Sequence, residues 1–270
     1  MKRSLVKNLL RDTIAAFTPR NNTDGIRILT YHCVSSLGVR AEDFSRQMEY
    51  VKKNFEVVSL RDFGNLYSKK AERPLLAITF DDGYVDNYDI AFPIMARMEI
   101  PFTIFLVTGF LGEVPPKESN LYPNMRLLSE KQIMEMTASG LVSFARHSHK
   151  HIDFSRSNPE SLEKDIAENK RCIQQICGRA GLIDCLAYPF GRTPKDIIDK
   201  MDTDLRYAFI VDNRVAELDF AYPTTLAISR IHIDSQDNIV KYKWKLSSKY
   251  RSVSALARSI RGIVAKDETQ

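Results

Sequence analysis

Pro74-Leu75-Leu76-Ala77-Ile78-Thr79-Phe80-Asp81-Asp82-Gly83 runs from an apolar stretch straight into two adjacent carboxylates and a glycine. The apolar part has the length and composition of a buried strand. Carboxylates at its mouth gain nothing from packing and lose hydration when enclosed. Two like charges this close also resist joint ionisation unless a cation or a proton lies between them. The pair therefore asks for a partner, and one comes 65 residues after Asp82, in Arg146-His147-Ser148-His149-Lys150-His151. One carboxylate with two histidines is a frequent ligand set for a catalytic zinc, which keeps an open position for water. The spare carboxylate is then free to act as a base. These residues point to a metal-dependent hydrolase.

Outward from this run the chain alternates. Strand-like runs occur at 26–32, 75–80, 102–107, 141–145, 186–188, 208–211 and 227–233, with helix-like stretches at 42–54, 87–98, 129–139, 159–176 and 194–202. Ser129-Glu130-Lys131-Gln132 reads as a capping box, and Asn158-Pro159-Glu160 as an Asn cap with proline in the first turn. Strand–helix alternation predicts an α/β fold with a parallel sheet or barrel. In parallel barrels the chemistry gathers at the C-terminal ends of the strands. The polar residues follow that rule: His32 after the first run, Asp81 and Asp82 after the second, His147 after Ala145, and Tyr188-Pro189-Phe190-Gly191 after Leu186. The stretch from Gly109 to Arg126, with Pro115-Pro116 and Tyr122-Pro123, reads as a long loop, either a lid over the cleft or a surface excursion.

Composition sets the context. The 270 residues are 44% hydrophobic and 27% charged, ordinary values for a globular chain. The net charge of +5 is unevenly spread: residues 1–20 carry +4 and residues 241–270 carry +6, which leaves −5 on the body between. An acidic body with two basic ends argues against a nucleic-acid binder. Both ends have apolar residues at helical spacing opposite their cations, among them Leu5, Leu9, Leu10, Leu256, Ile260 and Ile263. Such helices either dock on the domain or lie against an anionic membrane surface. Lys7, Arg11 and Asp12 interrupt the first apolar stretch, so it does not read as a secretory signal. No transmembrane run is present in the sequence. Cytoplasmic placement, with contact to the inner membrane surface through the basic ends, is the expectation. Cys33, Cys172, Cys177 and Cys185 have no disulfide-framework spacing, which suits reduced, structural thiols.

With these residues in place, the chain resembles the polysaccharide deacetylases of the NodB-homology type, carbohydrate esterase family 4, from about Ile26 to Ile233. Thr79 to Tyr84 matches the first family motif, His147 to His151 the second, and Ala187-Tyr188-Pro189-Phe190-Gly191 the third. Tyr31-His32-Cys33-Val34 is similar to the signature of the exopolysaccharide de-N-acetylase subgroup. The resemblance implies a single distorted (β/α) barrel of about seven parallel strands over residues 25–236. The basic segments 1–24 and 237–270 flank it as terminal amphipathic helices. It implies that Asp82, His147 and His151 hold one divalent metal while Asp81 serves as general base. Zinc is the default for this donor set, and cobalt, nickel or iron would fit it too. Tyr188, Pro189, Phe190 and Gly191 would line the substrate and oxyanion region, and His32 would be the general acid. The expected substrate is an N-acetylated carbohydrate, free, lipid-linked or nucleotide-linked.

Several assignments stay open at this level. His149 lies between the two ligands and is the alternative to either. His232, in Ser229-Arg230-Ile231-His232, reads as an ordinary strand side chain and is the second candidate for the acid. Many family members carry an arginine that orients the base where this chain has Ala187, so Arg146 and Arg192 become the candidates for that task. Competing functions are removal of a different acyl group, such as formyl, from a sugar or lipid-linked sugar, and a catalytically silent carbohydrate-binding relative.

Overall fold

The computed structural model describes residues 25–68, 71–191, 205–213, 216 and 225–247. In chain order its strands are β1 (Arg27–Tyr31), β2 (Glu56–Val57), β3 (Leu75–Asp82), β4 (Phe102–Leu106), β5 (Val142–Arg146), β6 (Leu182–Ala187), β7 (Tyr207–Val211) and β8 (Thr225–His232). The α-helices are α1 (Ala41–Asn54), α2 (Phe92–Arg97), α3 (Glu130–Ala138), α4 (Pro159–Gly181) and α5 (Ile239–Lys245). Every strand pairing is parallel, and the lateral order is β1-β8-β7-β6-β5-β4-β3-β2. β1 also pairs with β3 over five positions, Arg27 with Leu76 through Tyr31 with Phe80. That second pairing closes a seven-stranded barrel and leaves β2 outside it, beside β3. Closure removes the open edges that a free sheet would expose.

Alternation sorts the strand side chains into two cores. Leu76, Ile78 and Phe80 of β3 face outward with Leu29 and Tyr31 and meet Phe44, Met48 and Val51 of α1. Ala77, Ile28, Phe105, Ala145, Cys185, Phe209 and Ile228 come from seven different strands and touch one another, which only the barrel lumen allows. Phe63 and Leu66, from the 3-10 turns Leu60–Ser68, join that cluster and cover the N-terminal end of the barrel. A polar layer crosses the lumen, with Thr79 donating to the Leu29 carbonyl at 2.7 Å and Thr103 bonded to Ser143 at 2.9 Å, and the carboxylate of Asp81 follows at the C-terminal end of β3. An apolar floor under a polar mouth places the chemistry at the C-terminal rim.

Most anticipated elements form, with shifted ends. Ser129 and Gln132 make both halves of the capping box, and Asn158 caps α4 by accepting from Ser161 N–H at 2.9 Å. The helix expected over 87–98 opens as a π turn, Asn87–Ala91, before α2. α4 continues five residues past the expected end, so β6 starts at Leu182 rather than Leu186. β2 was not anticipated, because it is two residues long, whereas α5 falls within the basic segment 237–270 that was expected to be helical. α5 docks on the body through buried Tyr242 and Leu246. The four thiols are free. The expected helix at 194–202, the segments 1–24 and 248–270, and Arg192 lie outside the described residues. No helix among the described residues is long and apolar enough to cross a membrane.

Candidate active site

β3 delivers both carboxylates to the rim. Successive strand residues normally point to opposite faces, and Asp81 follows Thr79 and Ala77 into the lumen. Asp82 breaks the rule with a φ of 72°, followed by Gly83 at 83°, so that both carboxylates line one cleft. Glycine suits position 83 because its φ of 83° strains any L side chain, and a Cβ there would also press on the Leu106 side chain. His147 stands one residue past β5 and opens a turn in which Ser148 and His151 also have positive φ, 74° and 58°. Non-glycine residues held this way are strained and need support from their surroundings. α4 supplies it from behind. Asn169 accepts the His147 N–H at 3.0 Å, and Asp165 accepts the N–H groups of His149 and Lys150 at 2.9 and 3.0 Å.

His147 and His151 place their Nε2 atoms 3.3 and 3.5 Å from one oxygen, Asp82 Oδ1. Their Nδ1 atoms each lie 2.8 Å from a backbone carbonyl, that of Ala187 for His147 and of Ser119 for His151. A carbonyl oxygen can only accept, so each Nδ1 carries the proton and Nε2 of the neutral ring is a bare lone pair. Three acceptors therefore face one another in a buried corner, and Asp82 Oδ1 has no hydrogen-bond donor. Such an arrangement is costly unless a cation occupies its centre. Ligands about 2.0–2.1 Å from a tetrahedral zinc stand about 3.3–3.4 Å from each other, which is the spacing found. The donor set fits a divalent metal, and His149 is not part of it. The ring of His149 turns to the outside of the loop, with Nδ1 3.0 Å from Thr108 Oγ1.

Asp81 has a different environment. Arg230 of β8 grips it with two hydrogen bonds, 2.6 Å to Oδ1 and 2.7 Å to Oδ2. Arg230 is itself wholly buried, donates to Thr79 Oγ1 at 3.2 Å and lies over the Phe105 ring. Burial raises the Asp81 carboxyl, yet the Arg230 charge overrides it and keeps the group ionised. This corrects the expectation that Arg146 orients the base; Arg192, the other candidate, lies outside the described residues. Arg146 instead reaches toward Asp184 of β6, at 3.4 Å. Alternation in Ser229-Arg230-Ile231-His232 was the signal available in the sequence, since it puts Arg230 and His232 on one face of the strand.

The rest of the cleft rearranges the other expectations. His32 lines it as expected, and so does His232, whose ring stands 5.2 Å from that of His32 at 86°. His232 is thus a cleft residue and not an ordinary strand side chain. Burial, then the charges of His32 and Lys245, push its pKa down to about 4. Of the four residues 188–191, Phe190 and Gly191 line the cleft. Tyr188 points beneath the turn, donating to the Leu226 carbonyl at 3.0 Å, and Pro189 is buried. Phe190 takes a φ of 60°, stays 43% exposed and lies 4.8 Å from the His151 ring, tilted by 43°. The loop 109–126 packs as a wall of the site, since Ser119 holds His151 and Asn120 and Tyr122 face the cleft. The enclosed volume is about 340 Å³, within the range of small-ligand sites.

Comparisons with known proteins agree with this geometry. Poly-β-1,6-N-acetyl-D-glucosamine N-deacetylase of Staphylococcus epidermidis is 28% identical over 201 residues, covering 69% of this chain and 65% of that protein. The Staphylococcus aureus (strain MRSA252) protein of the same name is 26% identical over 195 residues, covering 67% and 63%. The chain thus spans under two thirds of the length of these curated relatives. Among solved structures, IcaB from Ammonifex degensii superposes with a TM-score of 0.68 at 21% identity, over 84% of this chain and 99% of that one. The Streptococcus pyogenes deacetylase PplD, solved with acetate, gives a TM-score of 0.68 at 21% identity over 84% and 100%. Both likenesses show the fold. The polysaccharide deacetylase family matches residues 68–208, a stretch that carries Asp81, Asp82, His147 and His151. Just over half the chain lies within that match, and the chain belongs to the polysaccharide deacetylase family.

Proposed function

We propose that this protein is a metal-dependent de-N-acetylase acting on an N-acetylhexosamine unit of a glycan, of the kind named for its staphylococcal relatives. The observation that carries this reading is the meeting of three acceptors, Asp82 Oδ1 and two imidazole Nε2 atoms, beside a second carboxylate that is already paired. Asp82, His147 and His151 would hold the cation. Once bound, a divalent cation lowers the pKa of a water and polarises a carbonyl oxygen. Asp81 takes the proton of the attacking water as general base, its carboxylate kept charged and aimed by Arg230. The Phe190–Gly191 turn faces the position where the oxyanion develops. His32 returns a proton to the departing amine, with His232 beside it. Tyr122 and the exposed face of Phe190 offer flat apolar surfaces to the sugar ring on either side. The PplD complex with acetate supports an acetyl-releasing reaction on this fold.

The test is acetate release from oligomers of N-acetylglucosamine by metal-stripped protein, before and after addition of zinc or cobalt. Acetate formed only with metal supports the proposal. Formate or another acid released from differently acylated sugars, with no acetate, would favour the alternative acyl group. Stoichiometric metal binding without any acid release would indicate a carbohydrate-binding relative.

A further inference from the structure

On the outer side of the same loop, away from the cleft, a second group of donors meets. His149, Glu168 and Cys172 place one ligand atom each within 4.8 Å of one another. Glu168 and Cys172 are one turn apart on α4, at i and i+4, where side chains stand over each other. Cys172 Sγ lies 3.7 Å from Glu168 Oε1. The His149 ring is oriented by Thr108, whose Oγ1 also accepts from Asn169 at 2.8 Å and contacts Cys172. Thr108 thus fixes the ring where one His149 nitrogen comes within reach of the two α4 donors. An oriented imidazole of this type is a recurrent feature of metal sites. Beside the three residues opens a groove of about 390 Å³ lined by Thr108, Gly109 and Cys172, which gives water access to a fourth position.

We propose that His149, Glu168 and Cys172 form a second site for a soft divalent cation of the zinc or cadmium class, independent of the cleft. Thiolate, imidazole and carboxylate together match zinc chemistry. On binding, the Cys172 thiol proton passes to solvent and a sulfur–metal bond forms, with no change in oxidation state. Arg171 holds both Glu168 oxygens, Oε2 at 2.9 Å and Oε1 at 2.5 Å, so a bound cation would take over the Oε1 contact while Oε2 stays on the guanidinium. Affinity rises with pH because the thiol must deprotonate. A filled site ties the strained turn 147–151 to α4, extending the grip that Asp165 and Asn169 already exert.

Cobalt(II) titration of the metal-stripped, full-length protein tests this. Beyond the equivalent expected in the cleft, a second equivalent should bind and bring a thiolate-to-cobalt charge-transfer band in the near ultraviolet. Cys172→Ser should lose the band and the second equivalent while acetate release stays at the wild-type rate. His147→Ala should keep the band, so failure of the cleft assignment is read separately from failure of this one. A wild-type titration without the band, a band that survives Cys172→Ser, or loss of the band in folded His147→Ala would each overturn the proposal.

Discussion

Asp81 and Asp82 are neighbours in the chain and equally hidden, at 2% and 4% exposed, but their surroundings are opposite. Asp81 meets donors: two guanidinium N–H groups satisfy both its oxygens without any ligand. Asp82 meets acceptors, two imidazole lone pairs aimed at one oxygen. A carboxylate among donors is complete and stays ionised, ready to take a proton. One among acceptors is incomplete until a cation arrives. The difference is what supports the proposed division of roles, and the left-handed backbone at Asp82 makes it attainable within two residues.

The most severe test of that contrast is to remove a member of the acceptor corner. His147→Ala or Asp82→Ala should abolish acetate release and lose the cleft's metal together, checked by metal analysis of the purified protein. Retention of that metal at full stoichiometry in both variants would sink the ligand assignment. Next comes the donor corner. Asp81→Asn should keep the metal and lower kcat by about 10²–10⁴-fold, the usual contribution of a general base.

Arg230→Met isolates the pairing itself. It leaves a buried carboxylate without its partner, so stability should fall by about 3–5 kcal/mol in urea unfolding. The double variant Arg230→Met/Asp81→Asn should recover part of that loss. Arg230 depresses the Asp81 pKa, so its removal raises it, and the acid limb of kcat/KM in surviving Arg230→Lys or Met protein should move to higher pH. A limb that does not move would mean the arginine only packs the lumen.

The two histidines give a smaller contrast. His32→Gln should reduce kcat more than His232→Gln, and the reverse order would exchange their roles. His232 has a folded pKa of about 4 against about 6.5 for a free imidazole, so the unfolded chain binds its proton first as pH falls. Its contribution to stability is therefore present above about pH 6.5 and is lost progressively down to about pH 4. His232→Asn should flatten that part of the stability–pH curve, a modest change because the ring is one-third exposed.

Much of this was legible beforehand. The run 74–83 announces a strand ending in reactive groups, and His147 and His151 are close enough in sequence for one turn to bring them together. Seven apolar runs separated by helical stretches anticipate the barrel. Arg230 was overlooked because an arginine two residues before a histidine in an apolar strand has no local mark of function. Its partner is 149 residues away. Tyr188 was credited with a place at the substrate because it belongs to a motif. Neither the φ of Phe190 nor the pull of the Leu226 carbonyl, which send the tyrosine beneath the turn, is encoded nearby. His149 could not be separated from its neighbours by spacing, because choosing among three nearby histidines depends on backbone angles set by α4.

The sequence by itself determined which donor types exist, in what order they end their strands, and that two adjacent carboxylates needed a compensating positive charge or a proton. These follow from solvation and charge at short range. Tertiary structure alone decided which carboxylate is paired and which is left open. That choice depends on β1 lying between β3 and β8 and closing the barrel, which brings Arg230 across the lumen to Asp81. Parallel pairing joins residues far apart in the chain, and no local pattern of residues specifies which side chains will meet across the interior.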